Sequence, residues 1–151
     1  MNITEETAPL VYDVISKLIA EREDSTGLVG VSCIARGADS VFAQAVLDAG
    51  GTLEVVLPSR NYRERKVKAD HAELFDRLIG AAETVHVMDF EDAGREAYEA
   101  ANESMLSSCD RLMAVWDGGA SEKGGTGTVI ELANTRGIPV DIVWPEGAAR
   151  S

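Results

Sequence analysis

The stretch of sequence that decides the fold is LVGVSCIARGADS, residues 28–40. Its first eight residues, 28–35, form a nearly continuous apolar run rich in β-branched side chains, the pattern of a strand buried on both faces. Such strands belong to parallel sheets that helices cover on both sides. The turn at residues 35–40 leads into a helical pattern that stops at Gly50 and Gly51. The stretch therefore predicts a strand, turn and helix of a parallel sheet.

The same alternation continues in both directions along the chain. Apolar residues at helical spacing predict a helix over residues 7–22, with Pro9 in its first turn. Further strands are predicted at 53–57, 84–88, 111–116 and 140–144, and further helices at 62–79 (with a break near Asp70), 93–108 and 127–136. With no linker or repeat in the sequence, this predicts one α/β domain over residues 1–151, with a mainly parallel sheet of about five strands.

Composition and charge narrow the classes of function. The chain has 151 residues, and its 45% apolar and 26% charged residues are ordinary for one globular domain. Its net charge of −12 repels nucleic-acid backbones and anionic membranes, so we expect no duplex DNA and no membrane partner. No apolar run could span a bilayer and no secretory leader is visible, so we expect a cytoplasmic protein. Its two cysteines and two histidines lack metal-ligand spacing, so we expect neither a metal nor a cofactor.

Ligands of parallel sheets bind beyond the carboxyl ends of the strands, which directs attention to three turns. The first turn contains Arg36, Gly37 and Asp39, directly after the first predicted strand. One interpretation is an anion site, in which backbone N–H groups and the Arg36 guanidinium face the ligand. The other is a tight turn in which Gly37 relieves strain and Asp39 caps the helix. The sequence favours neither.

The second turn is the glycine-rich stretch DGGASEKGGTGT, residues 117–128, which leads into the last helix. Glycines beside hydroxyl groups allow a backbone to wrap around a phosphate at a helix N-terminus. Glu131 lies one turn into that helix, where it could contact a ribose hydroxyl or transfer a proton. The alternative is a plain connection in which Glu131 only favours the helix dipole. The candidate ligand-binding residues here are Asp117, Gly124, Gly125, Thr126, Gly127 and Thr128.

The third turn, SRNYRERKVK at residues 59–68, holds five of the fourteen basic residues of the chain. In so acidic a protein this concentration suggests an anion site, with Arg60 near the strand end. A solvated helix face explains the later basic residues equally well. No P-loop lysine, dinucleotide fingerprint or nucleophile with a histidine partner accompanies these turns, which weighs against the corresponding enzyme classes.

Two of these motifs resemble a known group of proteins. GGTGTVIE at residues 124–131 is similar to the G-G-x-G-T-x-x-E motif of the Lonely-Guy (LOG) and lysine-decarboxylase-like proteins, which release the base from nucleoside 5′-monophosphates. SCIARGAD at residues 32–39 is similar to the S-x-x-A-x-G-x-D element of the DNA-processing protein A family. Together they resemble the SLOG superfamily over residues 29–145. The resemblance implies a three-layer, Rossmann-like, nucleotide-binding domain.

The chain also departs from that pattern. Lys123 stands where the LOG motif has a proline, and the sequence begins with what would be the first helix. The strand that precedes this helix in the family, at the centre of the sheet, has no counterpart. Either the true start lies upstream or the sheet closes differently. A missing central strand would leave an apolar seam, which we expect a homodimer to cover.

Two functional hypotheses follow, and the acidic charge weighs against a third, the DNA handling that the upstream motif would imply. The first is a domain that binds a nucleotide or phosphorylated sugar, with residues 124–128 at the phosphate, Arg36 and Arg60 neutralising it, and Glu131 at the ribose. The second, implied by the LOG resemblance, is a nucleoside 5′-monophosphate N-glycosidase in which Glu131 is catalytic. The sequence leaves open whether the protein is an enzyme.

Overall fold

The computed structural model describes residues 2–21, 27–119 and 125–151, and in them strands and helices alternate throughout. The five strands are β1 (Val29–Ser32), β2 (Thr52–Leu57), β3 (Thr84–Val87), β4 (Leu112–Val115) and β5 (Val140–Val143). The six helices are α1 (Thr7–Ala20), α2 (Ala38–Asp48), α3 (Tyr62–Lys66), α4 (Ala69–Ala81), α5 (Arg95–Ser108) and α6 (Thr126–Thr135). The α/β class predicted from the sequence is confirmed.

Most of the predicted boundaries agree with the structure, and two differences have a physical cause. The first strand ends at Ser32, because the backbone of Ile34 turns to a φ of 47° and leaves the extended region. The helix predicted over 62–79 is divided, because Val67 and Lys68 adopt extended backbone between α3 and α4. The break therefore precedes Asp70 by two residues.

All strand pairs are parallel, but they form two hydrogen-bonded groups in place of one continuous sheet. In the first group β2 lies between β1 and β3, with Val31 opposite Glu54 and Val55 opposite Val85. The second group pairs β4 with β5. Within the described residues, one edge of β1 and one edge of β4 have no strand partner.

Helices pack on both faces of the strands, as a three-layer domain requires. Neighbouring residues of β2 show this, because their side chains point to opposite faces. Val55 packs with Phe75 and Leu78 of α4, whereas Val56 packs with Ala101 of α5. Another buried cluster joins α1 and α2 to β4 and β5.

The beginning and end of the described chain lie together. Ile3 forms an isolated antiparallel bridge with Arg150, and the backbone N–H of Ala149 donates to the Thr7 hydroxyl at 2.8 Å. Residues 2–6 contribute no further strand to either group. In the described part of the chain, no helix combines the length and apolar character needed to cross a membrane.

Candidate functional site

The site is built around a strained turn at the carboxyl end of β1. Ile34 is fully buried and has a φ of 47°, a left-handed conformation that β-branched residues rarely adopt. Its backbone N–H donates to the Ser32 hydroxyl at 2.9 Å. Gly37, with a φ of 91°, completes the turn as the residue before α2. Backbone strain of this kind persists only where surrounding contacts hold it in place.

Two buried polar side chains supply those contacts. The Ser40 hydroxyl donates to the carbonyl of Ala35 at 2.7 Å, and His71 Nε2 lies 3.1 Å from the carbonyl of Ile34. That carbonyl can only accept, so Nε2 carries the proton. Ser40 and His71 come from α2 and α4, and both are more than nine-tenths buried. The turn is therefore held by two helices at once.

A cavity of about 830 Å³ opens between β1 and β4. Near the carboxyl ends of the two strands it is lined by Ala38 and Asp39 of α2 and by Gly125 and Thr126 at the start of α6. Neither helix has a side-chain cap on its first turn among the described residues. Both helices therefore bring backbone N–H groups and the positive ends of their dipoles to the lining of one cavity.

Four ionisable side chains that line this cavity favour their neutral forms. Burial, and secondarily the charge of Asp39, raises the pKa of the Cys33 thiol well above its ordinary value. Burial also raises the pKa of Tyr98 and, more strongly, of Tyr62. The pKa of Asp39 is raised by burial, against the opposing effect of the Ala35 amide. These four side chains give the cavity two phenol hydroxyls, a thiol and the Asp39 carboxyl in surroundings that disfavour charge.

The two arginines expected at the phosphate form ion pairs with acidic side chains. Arg36 lies 2.9 Å from Asp70 at the start of α4. Arg60 contacts Asp89 and Glu91, which follow β3, at 2.6 and 3.1 Å. Arg36 and Arg60 are both absent from the residues that line the cavity.

The candidate residues of the glycine-rich turn differ in whether they line the cavity. Gly125 and Thr126 line the cavity, whereas Gly127 and Thr128 belong to the first turn of α6 without lining it. Asp117 accepts from the backbone N–H of Gly119 at 2.8 Å. Glu131 is exposed and lies outside the cavity lining. Gly124 falls outside the described residues.

Several residues of the site escaped the sequence analysis. Tyr98, Asn102 and Met105 of α5 line the cavity, and His71 supports the turn from α4. A signal for His71 was available, because it shares a buried helix face with Phe75 at four-residue spacing. The contribution of α5 had no such signal, since it depends on how that helix packs across the strands.

The fold is shared with a protein of known structure. DNA processing protein A (DprA) from Streptococcus pneumoniae superimposes with a TM-score of 0.64 at 22% sequence identity. The chain has a Rossmann-like fold. The match covers 95% of this chain and 47% of the other, so the chain spans about half the length of that protein. No protein-family model and no curated protein matches the sequence.

This likeness confirms, at the level of the fold, the resemblance to the DNA-processing protein A family. It also corrects one expectation. From the net charge of −12 we expected no duplex DNA partner, but a DNA-processing protein has the same fold. The exclusion of DNA was wrong, because total charge describes the whole surface and a fold can present a local surface of different character.

Proposed function

We propose that this domain binds a nucleotide or a phosphorylated sugar at the carboxyl ends of β1 and β4. The observation that carries the proposal is the convergence of the N-termini of α2 and α6 on one cavity. Uncapped helix N-termini bind anions through free N–H groups and the helix dipole. At about 830 Å³ the cavity is within the usual range for small-molecule sites.

The proposed ligand places its phosphate at Gly125 and Thr126 and its sugar toward α2 and α5. Asp39 suits a sugar hydroxyl, because a carboxyl group accepts hydrogen bonds from hydroxyls in either protonation state. Asn102 and Tyr98 add an amide and a phenol on the α5 side. Arg60 is left out of this site, since its contacts are with Asp89 and Glu91.

The test is a calorimetric titration with AMP, ADP, ATP, ribose 5-phosphate and inorganic phosphate. We expect Thr126→Asp to weaken binding by about tenfold or more, because its carboxylate repels the phosphate. The same change favours the helix dipole, so thermal stability should be unchanged or higher. Asp39→Asn should weaken binding of the ligands that carry a sugar and leave inorganic phosphate unaffected.

Glu131→Gln is the matched control, because Glu131 is on the same helix but exposed and outside the cavity. If this variant loses binding while Thr126→Asp retains it, the proposed site is wrong. If no member of the panel binds to folded protein, the proposed function itself fails. Single-stranded and duplex oligonucleotides belong in the same panel, since the fold is shared with a DNA-processing protein. The exposed position of Glu131 gives the N-glycosidase hypothesis no added support.

A further inference from the structure

We propose that the guanidinium group of Arg150 neutralises the phosphate of the bound ligand, and that Asp117 holds this group when no ligand is bound. The inference rests on the proposed function, because it adds a residue to the same site. It replaces the roles that the sequence suggested for Arg36 and Arg60, since carboxylates already engage those two arginines at short distances. A local cation would offset the net charge of −12, which disfavours an anionic ligand.

The position of Arg150 is at the carboxyl ends of β4 and β5. The backbone N–H of Trp116, which follows β4, donates to the Val143 carbonyl at 3.2 Å, so the two strands end together. Asp117 is next in the chain, and one of its carboxylate oxygens lies 3.6 Å from Arg150 Nη1. Val115, two residues before Asp117, lines the cavity. The Cα atoms of those two residues are at most about 7 Å apart, so the guanidinium lies close to the proposed site.

The backbone around Arg150 is fixed by the segment that precedes α1. Ile3 forms an antiparallel bridge with Arg150. The backbone N–H of Ala149 donates to the Thr7 hydroxyl at 2.8 Å, and the backbone N–H of Thr4 donates to the Ala149 carbonyl at 3.2 Å. Thr7 is fully buried in the first turn of α1. Because these contacts hold the backbone, only the side chain of Arg150 has to move when a phosphate binds.

The side chain of Arg150 is held less firmly than other arginines of the described chain. Arg63 and Arg111 each donate two hydrogen bonds to one carboxylate, at distances between 2.5 and 2.8 Å. Among the described residues, Arg150 has one carboxylate contact, at 3.6 Å, which is too long for a hydrogen bond. Its side chain is 57% exposed. A guanidinium carries its N–H donors in a fork that matches two phosphate oxygens, so Arg150 suits this ligand.

Binding requires the guanidinium to turn from Asp117 toward Thr126. Arg150 does not line the cavity in this structure, whereas Thr126 lines it at the start of α6. The turn is favourable because a phosphate accepts two parallel N–H bonds from the fork, whereas Asp117 accepts none from it. The hydrogen bond from the Gly119 backbone N–H keeps the Asp117 carboxylate nearby, at 2.8 Å. Asp117 therefore competes with the phosphate for Arg150.

The experiment measures the affinity of the whole chain for AMP, ribose 5-phosphate and ATP by calorimetry, after thermal unfolding has shown that each variant is folded. We expect Arg150→Gln to weaken binding about tenfold or more, because a charge-assisted contact is lost. Arg150→Lys keeps the charge without the fork and should give a smaller loss.

Asp117→Asn should have the opposite effect and strengthen binding about threefold, because it removes the competing negative charge. The amide oxygen of the new side chain can still accept from the Gly119 backbone N–H, so the turn is retained. A purely structural role of the Arg150–Asp117 pair would make binding weaker or unchanged in both variants.

Arg136→Gln is the matched control, because it removes the same charge from the other end of α6, where Arg136 contacts Glu103. Its affinity should stay within about twofold of that of the unaltered protein, since distant exposed charges are screened by salt. Unchanged affinity in Arg150→Gln, an equal loss in Arg136→Gln, or weaker binding in Asp117→Asn would each overturn the role of Arg150 and leave the proposed function standing. If Arg150→Gln does not fold, the result for Asp117→Asn decides. If the unaltered protein binds none of the three compounds, the proposed function fails and this inference fails with it.

Discussion

The hydroxyl of Ser40 is the side-chain group that best tests how the turn after β1 is held. It donates to the Ala35 carbonyl at 2.7 Å and is 3% exposed. We expect Ser40→Ala to lower the free energy of unfolding by about 1–3 kcal/mol, because a buried carbonyl loses its partner. Urea denaturation measures this.

Ser107→Ala is the matched control for that change, since the exposed Ser107 hydroxyl also donates to a backbone carbonyl, that of Ser104. Its effect should be within about 0.5 kcal/mol. If both variants lose the same stability, the buried network does not hold the turn. The positive φ of Ile34 would then have to be maintained by packing alone.

At the scale of elements, the entry into α2 requires glycine. Gly37 precedes the helix with a φ of 91° and a ψ of −127°, a region that residues with a Cβ rarely occupy. We expect Gly37→Ala to destabilise the protein by about 1–3 kcal/mol. Gly80→Ala should do the opposite and stabilise it by about 0.5–1 kcal/mol, because Gly80 lies in α4 and its added Cβ meets open space.

Thermal or urea unfolding of both glycine variants checks the pair. The decisive result is whether each substitution raises or lowers the free energy of unfolding. The two substitutions are chemically identical and differ only in backbone conformation and position. If Gly37→Ala does not destabilise the protein, the entry into α2 is not strained in the way described.

At the scale of elements, the helices and strands could be predicted from the sequence, but some contacts between them could not. Strands and helices were predictable because each depends on local apolar periodicity and on turn residues such as Gly50 and Gly51. The partners of Arg60 were not, because Asp89 and Glu91 are about thirty residues away and meet it only after β2 and β3 pair. A basic turn in an acidic protein was therefore interpreted as an anion site when its arginine contacts acidic residues.

For the molecule as a whole, the carboxyl-end position of the site was predictable from the parallel topology, and the contribution of α5 was not. Thr126 and Asp39 do line one cavity. The sequence predicted a mainly parallel sheet of about five strands, and the structure divides those strands into two groups. The sequence could not predict that an edge of β1 and an edge of β4 lie at the same cavity, or that helices from both faces of the strands line it.

The division of the strands into two groups leads us to predict that local stability differs across the molecule. β2 has strand partners on both sides, whereas β1, β3, β4 and β5 each have one in the described chain. We expect hydrogen exchange of the isolated protein to be slowest in β2 and distinctly faster in β1 and β4, because backbone groups at an unpaired edge open by local fluctuation. Exchange followed by mass spectrometry on strand-length peptides measures this. Protection of β1 and β4 equal to that of β2 would mean that the cavity between β1 and β4 closes in solution, and the two strand groups would then have to behave as one sheet.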